Sequence, residues 1–196
     1  MIRLIDFFLS FLAILILSPF MILIAVFILT ESKGGVFFLQ NRVGKNEKDF
    51  KLVKFRTMLA DSDKKGLLTI GEGDSRITRA GYFLRKYKLD ELPQLFNVLL
   101  GQMSFVGPRP EVRKYVNLYT PEQKRILDIK PGITDMASIE YFNENELLSR
   151  AEDPEEYYVH KIMPHKIQLN MKYRDNKTLG NYFRIIGKTL LKIFDH

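Results

Sequence analysis

Two adjacent carboxylates, Asp90 and Glu91, are the residues of this 196-residue chain whose type and setting best suit catalysis. They lie in RKYKLDELPQLFNVLLGQMSFVGPRPE (85–111), after a basic stretch and ahead of a proline and an apolar run. A carboxylate among cations can attack phosphorus as a nucleophile or bind Mg²⁺. Glu91 would supply a second carboxylate for the metal or for proton transfer. The same pair is also common as a helix cap, so this stretch alone leaves both interpretations open.

Pro93 predicts where the helix that carries the apolar run begins. Proline fits only the first turn of a helix, so Asp90 is expected at or just before the helix start. The free N–H groups there and the helix dipole favour an ionised carboxylate. Cations surround it at Arg85, Lys86 and Lys88. This setting predicts a deprotonated carboxylate beside a place where phosphates could gather.

The turn VGPRP (106–110) holds Arg109 between two prolines. Proline fixes φ and stiffens the turn, while Gly107 would let the backbone approach a ligand closely. A rigidly held guanidinium suits bidentate phosphate binding. The alternative is a surface turn with a solvated arginine.

These groups must be positioned by the rest of the chain, which opens with an apolar segment from Leu4 to Thr30 whose only charge is Asp6. As a straight helix the segment would reach roughly 40 Å, against about 30 Å of hydrocarbon in a bilayer. It is too long for a signal peptide and lacks a cleavage site, which predicts a retained membrane segment. Ser18-Pro19 lies near its middle. The proline could kink a spanning helix harmlessly, or bend it so sharply that it enters one leaflet and returns.

Charge and composition restrict the partners and the side of the membrane. The formal net charge of +7 favours an anionic partner, such as a phosphorylated substrate, anionic lipid or nucleic acid. Basic residues recur over 33–51, directly after the apolar segment, so the following domain is expected in the cytoplasm. Cysteine is absent, which excludes disulfides and thiolate metal sites, and the three histidines disfavour zinc.

The remaining sequence predicts a predominantly helical α+β fold. A membrane segment over residues 1–32 precedes a catalytic domain over residues 33–196 that ends in amphipathic helices. Two strand-like runs, Val36-Gln40 and Phe50-Phe55, flank a Gly- and Asn-containing turn, which predicts a small β-hairpin.

Local signals predict three of the helices. Residues 77–88 read as a helix with Ile77, Phe83 and Leu84 toward the core. Residues 120–123 have the Thr-Pro-x-Gln pattern of a helix start. The last helix, residues 179–194, combines an apolar stripe with basic residues every four positions. That combination fits either packing on the core or lying on anionic lipid as an interfacial helix.

The ordered set KFRTM (54–58), LDELPQLFNVLLGQMSFVGPRP (89–110) and KPGIT (130–134), after an apolar segment with a central Ser-Pro, resembles the bacterial sugar transferases. More narrowly, it is similar to the small monotopic phosphoglycosyl transferases. The match runs from the membrane segment to about Thr134 and is looser beyond.

The resemblance implies an enzyme of the cytoplasmic face of the bacterial inner membrane. It would move a sugar-1-phosphate from a nucleotide diphosphate sugar, with UDP as the expected nucleotide, to undecaprenyl phosphate. Mg²⁺ is the implied cofactor. The implied partners are these two substrates and an anionic phospholipid membrane, and nucleic acid is not among them. The resemblance does not fix the oligomeric state, and a homodimer is one of the states it allows.

The resemblance also assigns residues. Asp90 matches the family's nucleophile and an implied Mg²⁺ ligand, and Glu91 matches its dyad partner. Ser18 and Pro19 match the break of a re-entrant helix, which implies a helix-break-helix. The family's basic motif positions, which we interpret as phosphate binders, correspond to Arg109, Arg85, Lys54 and Arg56.

Two departures from the family pattern and two rival functions remain. The family often has Gly where this chain has Asp135, and Asp where it has Gln102; because of the first departure, sugar or nucleotide specificity is not carried over from better-known members. Asp61 and Asp63 form a D-x-D, which in metal-dependent glycosyltransferases holds a metal. The other rival is a non-enzymatic, membrane-anchored basic module.

Overall fold

The computed structural model describes residues 1–59 and 74–194 of the chain. Within these ranges the fold is predominantly helical with a small strand content, which confirms the predicted fold class. The α-helices, in chain order, are α1 (Ile2–Glu31), α2 (Arg79–Lys86), α3 (Gln94–Leu99), α4 (Arg113–Val116), α5 (Pro121–Lys124), α6 (Met136–Glu140), α7 (Glu144–Ser149), α8 (Pro154–Tyr157), α9 (Met163–Asp175) and α10 (Leu179–Phe194).

The predicted hairpin is present. Strands β1 (Phe37–Val43) and β2 (Asp49–Phe55) pair antiparallel, with Phe37 opposite Phe55. A second, parallel pairing joins β3 (Ser104–Val106) and β4 (Gly132–Thr134), and no local signal predicted it. This pairing brings the VGPRP turn next to the KPGIT segment, although they are far apart in sequence.

The local helix signals are borne out, with exceptions at Phe83 and at Ile77, which precedes α2, pairs with Met58 in an isolated β-bridge and is only partly buried. Thr78 caps α2 by accepting a hydrogen bond from the Gly81 N–H. The Thr120 side chain and the Gln123 side chain form the predicted reciprocal capping box at α5. Leu84 is buried as expected, but Phe83 is half exposed, because the short helix α2 turns only one face toward the core.

Helix α1 is one element from Ile2 to Glu31 with Pro19 inside it, and this continuity is compatible with either a straight helix or one that bends at Ser18-Pro19. Proline has no N–H, and the bond that it cannot make would have gone to the carbonyl four residues earlier, at Leu15. The Ser18 hydroxyl donates to that same carbonyl at 3.0 Å. Because this contact satisfies the freed oxygen, the helix tolerates the proline. The re-entrant path through a membrane is a separate matter and stays a prediction.

Both ends of α1 contact the rest of the domain. Near the start, the Arg3 guanidinium donates to the Val98 and Leu99 carbonyls, each at 2.7 Å, and buried Asp6 accepts from the Tyr182 hydroxyl at 2.8 Å.

Near the end of α1, Met21, Ile24 and Ile28 pack with Phe55 of β2 and Leu84 of α2. Between these two contact regions, none of residues 11–20 is buried. The helix is long and apolar enough to cross a membrane by length and composition alone.

Helix α10 packs on the domain through one face. Tyr182 and Ile185 are buried in a core with Val106 and Tyr173, whereas Phe183 and Leu190 are exposed. Core packing of α10 is therefore present, and an apolar face remains outside. Contact of that outer face with lipid stays a prediction.

Candidate active site

Asp90 lies in a tight turn between α2 and α3. Lys88 has φ +55°, a left-handed conformation that costs energy in a residue with a side chain, and residues Leu89–Glu91 form one 3₁₀ turn. Pro93 occupies the N-cap position of α3, which begins only at Gln94. Asp90 therefore precedes the helix by several residues and makes no cap, so the helix-dipole argument for its ionisation was wrong.

Asn97 of α3 fixes this turn against the hairpin. Its side-chain oxygen accepts from the Val53 N–H at 3.0 Å, and its amide donates to the Lys51 carbonyl at 2.8 Å and to Gln102 Oε1 at 2.7 Å. These buried bonds set the register between α3 and β2. As a consequence, Lys54 of β2 faces the carboxylates. Gln102, one of the two departures from the family pattern, belongs to this scaffold.

Glu91 anchors the charged cluster. Its Oε1 accepts from Lys54 Nζ at 3.0 Å, and its Oε2 accepts from Arg109 Nη1 at 3.2 Å. Arg109 Nη2 donates a further bond to Oε1. Burial by itself would raise the pKa of Glu91, but the charges of Arg109 and Lys54 outweigh it and hold that pKa well below its usual range. Glu91 is thus an ionised group that holds two cations in place.

Asp90 differs from Glu91 in its hydrogen bonding and in the direction of its pKa shift. It is 7% exposed, and no residue in the described ranges 1–59 and 74–194 donates a hydrogen bond to its carboxylate. Burial raises the pKa of Asp90, and the charges of Lys54, Arg85 and Arg109 oppose this shift only in part. A mostly buried carboxylate whose pKa is raised by burial, and which lies near three cations, is a candidate for chemistry rather than for support of the fold.

The Asp90 carboxylate fits one ligand position of a hard cation. Mg²⁺ takes oxygen ligands, keeps several waters and is commonly completed by substrate phosphates. In the part of the chain that the structure describes, no group of three or more His, Asp or Glu side chains could hold a metal. Among these residues Asp90 would supply one ligand to such a cation, and the phosphates of a diphosphate would supply further oxygens.

Of the four predicted phosphate binders, three face the carboxylates and one does not. Lys54 and Arg109 contact Glu91 directly. Arg85 donates to the Thr57 hydroxyl at 2.9 Å; burial lowers its pKa, while the nearby Asp90 charge raises it. The guanidinium of Arg56 instead donates to main-chain carbonyls that follow α1.

Those carbonyls belong to Lys33, at 2.6 Å, and Ser32, at 2.8 Å. Gly34 makes room for this contact, since a Cβ there would lie 1.8 Å from Arg56 Nη1. Arg56 therefore secures the end of α1 and is not part of the charged cluster.

The VGPRP turn is held by the neighbouring strand rather than opened toward a ligand. A Cβ on Gly107 would lie 2.3 Å from the Lys130 carbonyl oxygen, and one on Gly132 would lie 2.1 Å from the Gly107 nitrogen. The two glycines are needed for this close backbone approach. The expectation that Gly107 admits a ligand is replaced by a packing role, which stiffens the turn that carries Arg109.

Asp135 is the residue of the site that sequence reasoning left without a role. Its Oδ2 accepts from the Arg109 N–H at 2.9 Å and from the Asn170 amide at 2.7 Å, and its Oδ1 caps α6 at the Ser138 N–H. It is 1% exposed. Asp135 thus fixes the backbone of Arg109. The sequence signal that could have identified Asp135 is its position directly before a helix.

Arg42 is a second residue that no sequence signal identified. It donates to the Pro110 carbonyl at 3.0 Å and to Glu111 Oε1 at 3.2 Å, so β1 supports the same turn from its other side. Asp61 and Asp63, the D-x-D of the rival glycosyltransferase, lie outside the described residues.

A buried carboxylate beside three cations suits chemistry on phosphate groups, and a long apolar helix suits a protein that works at a membrane. The sequence agrees with this class. It matches the family model described as bacterial sugar transferase over residues 1–196, and the chain belongs to that family.

Three curated relatives show how far the similarity reaches. The chain is 44% identical over 137 residues to a UDP-N-acetylgalactosamine-undecaprenyl-phosphate N-acetylgalactosaminephosphotransferase of Aeromonas hydrophila, covering 68% of this chain and 32% of that protein. It is 39% identical over 178 residues to a UDP-glucose:undecaprenyl-phosphate glucose-1-phosphate transferase of Klebsiella pneumoniae, covering 87% and 37%. It is 44% identical over 144 residues to the exopolysaccharide production protein PSS of Rhizobium leguminosarum bv. phaseoli, covering 70% and 72%. The chain thus spans about a third of the length of the first two.

Proposed function

We propose that this chain transfers a sugar-1-phosphate from a UDP-sugar to undecaprenyl phosphate and releases a nucleoside monophosphate. The observation that carries the proposal is the buried Asp90 carboxylate, without protein donors in the described ranges, beside Lys54, Arg85 and Arg109. The names of the Aeromonas and Klebsiella relatives describe transfers of this kind. The reaction would be the first membrane step in assembling a glycan.

In the proposed reaction a carboxylate oxygen of Asp90 attacks the phosphorus that carries the sugar. The new oxygen–phosphorus bond replaces the bond to the second phosphate, which leaves with its electron pair as a nucleoside monophosphate. An oxygen of undecaprenyl phosphate then attacks the same phosphorus and frees the Asp90 carboxylate. The sequence is ping-pong, because the monophosphate leaves before the lipid acceptor reacts.

The cations of the cluster would bind the donor phosphates and stabilise the charge that develops on the phosphoryl oxygens. Glu91 already holds Arg109 and Lys54 in position through its hydrogen bonds, so these side chains need little reorganisation when the donor binds. Glu91 acts in this scheme by holding the two cations. Arg85 would contribute from α2. Arg56 is left out, because its guanidinium is bound at the end of α1.

Mg²⁺ is the proposed cofactor, with Asp90 as its protein ligand. When bound, it supplies a Lewis acid that neutralises charge on the diphosphate. Beside such a cation the pKa of Asp90 would fall, which opposes the effect of burial. Asp90 would then be ionised at neutral pH, as its attack requires.

The identity of the nucleotide product tests this proposal. With UDP-glucose or UDP-N-acetylgalactosamine and undecaprenyl phosphate, the purified full chain should release UMP. EDTA should stop the release, and excess Mg²⁺ should restore it. Release of UDP would instead support a glycosyltransferase that uses Asp61 and Asp63. No nucleotide release from any UDP-sugar of a broad panel would favour the non-enzymatic module.

The proposal also places the domain and both ends of α1 on the cytoplasmic face of the inner membrane, with α1 entering the bilayer and returning. Arg3 and Asp6 at one end, and Ile24 and Ile28 at the other, contact the same domain. A domain that does not itself cross the bilayer can hold both ends only if they lie on one side. Residues 11–20, none of which is buried, would then be the part in lipid.

Cysteine labelling tests this topology, because the chain has no cysteine of its own. A cysteine inserted after Met1 should resist a maleimide that crosses the outer but not the inner membrane, and it should react after lysis. Lys48→Cys in the hairpin turn is the cytoplasmic control. Pro19→Ala should increase labelling at the N-terminus by favouring a spanning helix. Strong labelling of the inserted cysteine in intact wild-type cells would contradict the re-entrant path.

A further inference from the structure

A second cationic site lies at the start of α1, away from the cluster around Asp90. This cavity, the lysine pocket, is lined by Arg3, Lys45, Lys130 and Lys177, with Asp6 and Asp128 as its acidic members. The four basic residues come from the start of α1, the hairpin turn, the segment before β4 and the link between α9 and α10. None of the charged residues around Asp90 lines it.

The two acids of the lysine pocket are already engaged. Asp6 Oδ1 accepts from the Ser104 hydroxyl at 3.0 Å, from the Phe105 N–H at 3.1 Å and from the Tyr182 hydroxyl. Asp128 is ion-paired with Arg174 at 2.8 Å. The pairing of Asp128 with Arg174 leaves Asp6 as the acid that faces the four basic residues, and its charge opposes the lowering of the pKa of Lys130 and of Lys177 only in part.

The three lysines have no such partner. Within residues 1–59 and 74–194, the side chains of Lys45, Lys130 and Lys177 make no ion pair or hydrogen bond. Burial, followed by the charge of Arg3, lowers the pKa of Lys130, and burial also lowers the pKa of Lys177. Like charges are thus crowded around an open cavity, and an anion placed there would relieve the repulsion.

The neighbourhood of the lysine pocket indicates the source of the anion. Leu4 and Phe8 of α1 are 63% and 65% exposed, within two turns of Arg3. Apolar side chains that suit acyl chains therefore begin beside cations that suit a headgroup phosphate. A phospholipid at the membrane surface combines both features.

We propose that the lysine pocket binds the phosphate group of an anionic phospholipid, in a site separate from the transfer chemistry. It would fix the start of α1, and through Asp6 the β3 segment, at the level of the lipid headgroups. The site does not depend on the proposed reaction, because no residue of the Asp90 cluster takes part in it.

The test compares two double variants of the full chain in detergent. Lys130→Gln/Lys177→Gln removes two pocket charges, and Lys51→Gln/Lys161→Gln removes two charges elsewhere. The probes are short-chain phosphatidylglycerol, short-chain phosphatidylcholine and inorganic phosphate at matched ionic strength, with binding followed by calorimetry. Loss of two pocket lysines should weaken phosphatidylglycerol binding about 30-fold, whereas the control variant should bind like wild type.

The arms of the experiment also identify the source of the phosphate. Phosphatidylglycerol binding that far exceeds binding of inorganic phosphate supports the lipid, and equal binding that the pocket variant loses supports a free phosphate in the same site. The proposal is overturned if wild type binds neither probe, or if the pocket variant binds both as wild type does. Should the double variant fail to fold, Lys177→Gln alone lies in an exposed link and should weaken binding about fivefold.

Discussion

Asp90→Asn should abolish turnover and leave no covalent adduct, because an amide cannot attack phosphorus as a carboxylate does. Asparagine has nearly the same shape, so the cations around it should keep their places. The loss in kcat should reach at least about four orders of magnitude, as for other enzymes that lose their nucleophile. Rapid-quench mass spectrometry with donor alone should find a phospho-sugar on the wild-type peptide that contains Asp90. UMP release should be stoichiometric with enzyme.

The matched control is Asp153→Asn. Asp153 is an exposed acid that caps α8 by accepting from the N–H groups of Glu155 and Glu156. Asparagine caps helices about as well as aspartate, so this variant should keep wild-type activity and form the adduct. If wild type forms no adduct with donor alone and the kinetics require a ternary complex, the covalent mechanism is wrong. Asp90 would then be a metal ligand only.

The stability of Asp90→Asn separates lost chemistry from lost structure. Because burial raises the folded-state pKa of Asp90 above its unfolded value, the ionised form at neutral pH disfavours the folded state. A neutral amide removes this penalty. The melting temperature without ligands should therefore stay the same or rise, as is common when a functional residue is replaced.

The sequence predicted the parts of this fold that depend on neighbouring residues. The hairpin, the cap at Thr120 and the apolar helix α1 follow from local patterns, and each is present. The ionisation of Asp90 was argued from a helix start, which is also local. It failed because a 3₁₀ turn separates Asp90 from α3 and because burial, a tertiary property, dominates its pKa.

The site itself is assembled by contacts that no local pattern contains. Lys54 meets Glu91 only because Asn97 ties α3 to β2. Arg56, two residues from Lys54, was assigned with it as a phosphate binder from the family resemblance. β2 ends at Phe55, so Arg56 turns to the end of α1 instead. Asp135 was noted only as a departure from the family pattern, since its contact with the Arg109 backbone depends on the β3–β4 pairing.

Arg109→Lys should lower kcat/KM for the donor about 100-fold while the protein stays folded. The guanidinium contacts both oxygens of Glu91, and Asp135 holds its main chain, so its planar group has a fixed direction. Lysine keeps the positive charge but offers a point charge on a flexible stem, which cannot make two parallel hydrogen bonds to a phosphate. A 100-fold loss corresponds to about 2.7 kcal/mol, within the range of about 1.5 to 3 kcal/mol for a hydrogen bond to a charged group.

The control for Arg109→Lys is Arg113→Lys, four residues further along. Arg113 is as exposed as Arg109, at 39% of its side chain, but its partners Glu47 and Asp49 are 43% and 57% exposed against 13% for Glu91, and surface pairs of this kind contribute at most about 1 kcal/mol. Initial rates at subsaturating UDP-sugar should therefore fall for Arg109→Lys and remain at the wild-type level for Arg113→Lys. Equal rates for Arg109→Lys and wild type would remove Arg109 from the donor site. Its bond to Glu91 would then serve the fold alone, and the donor phosphates would have to be bound by Lys54 and Arg85.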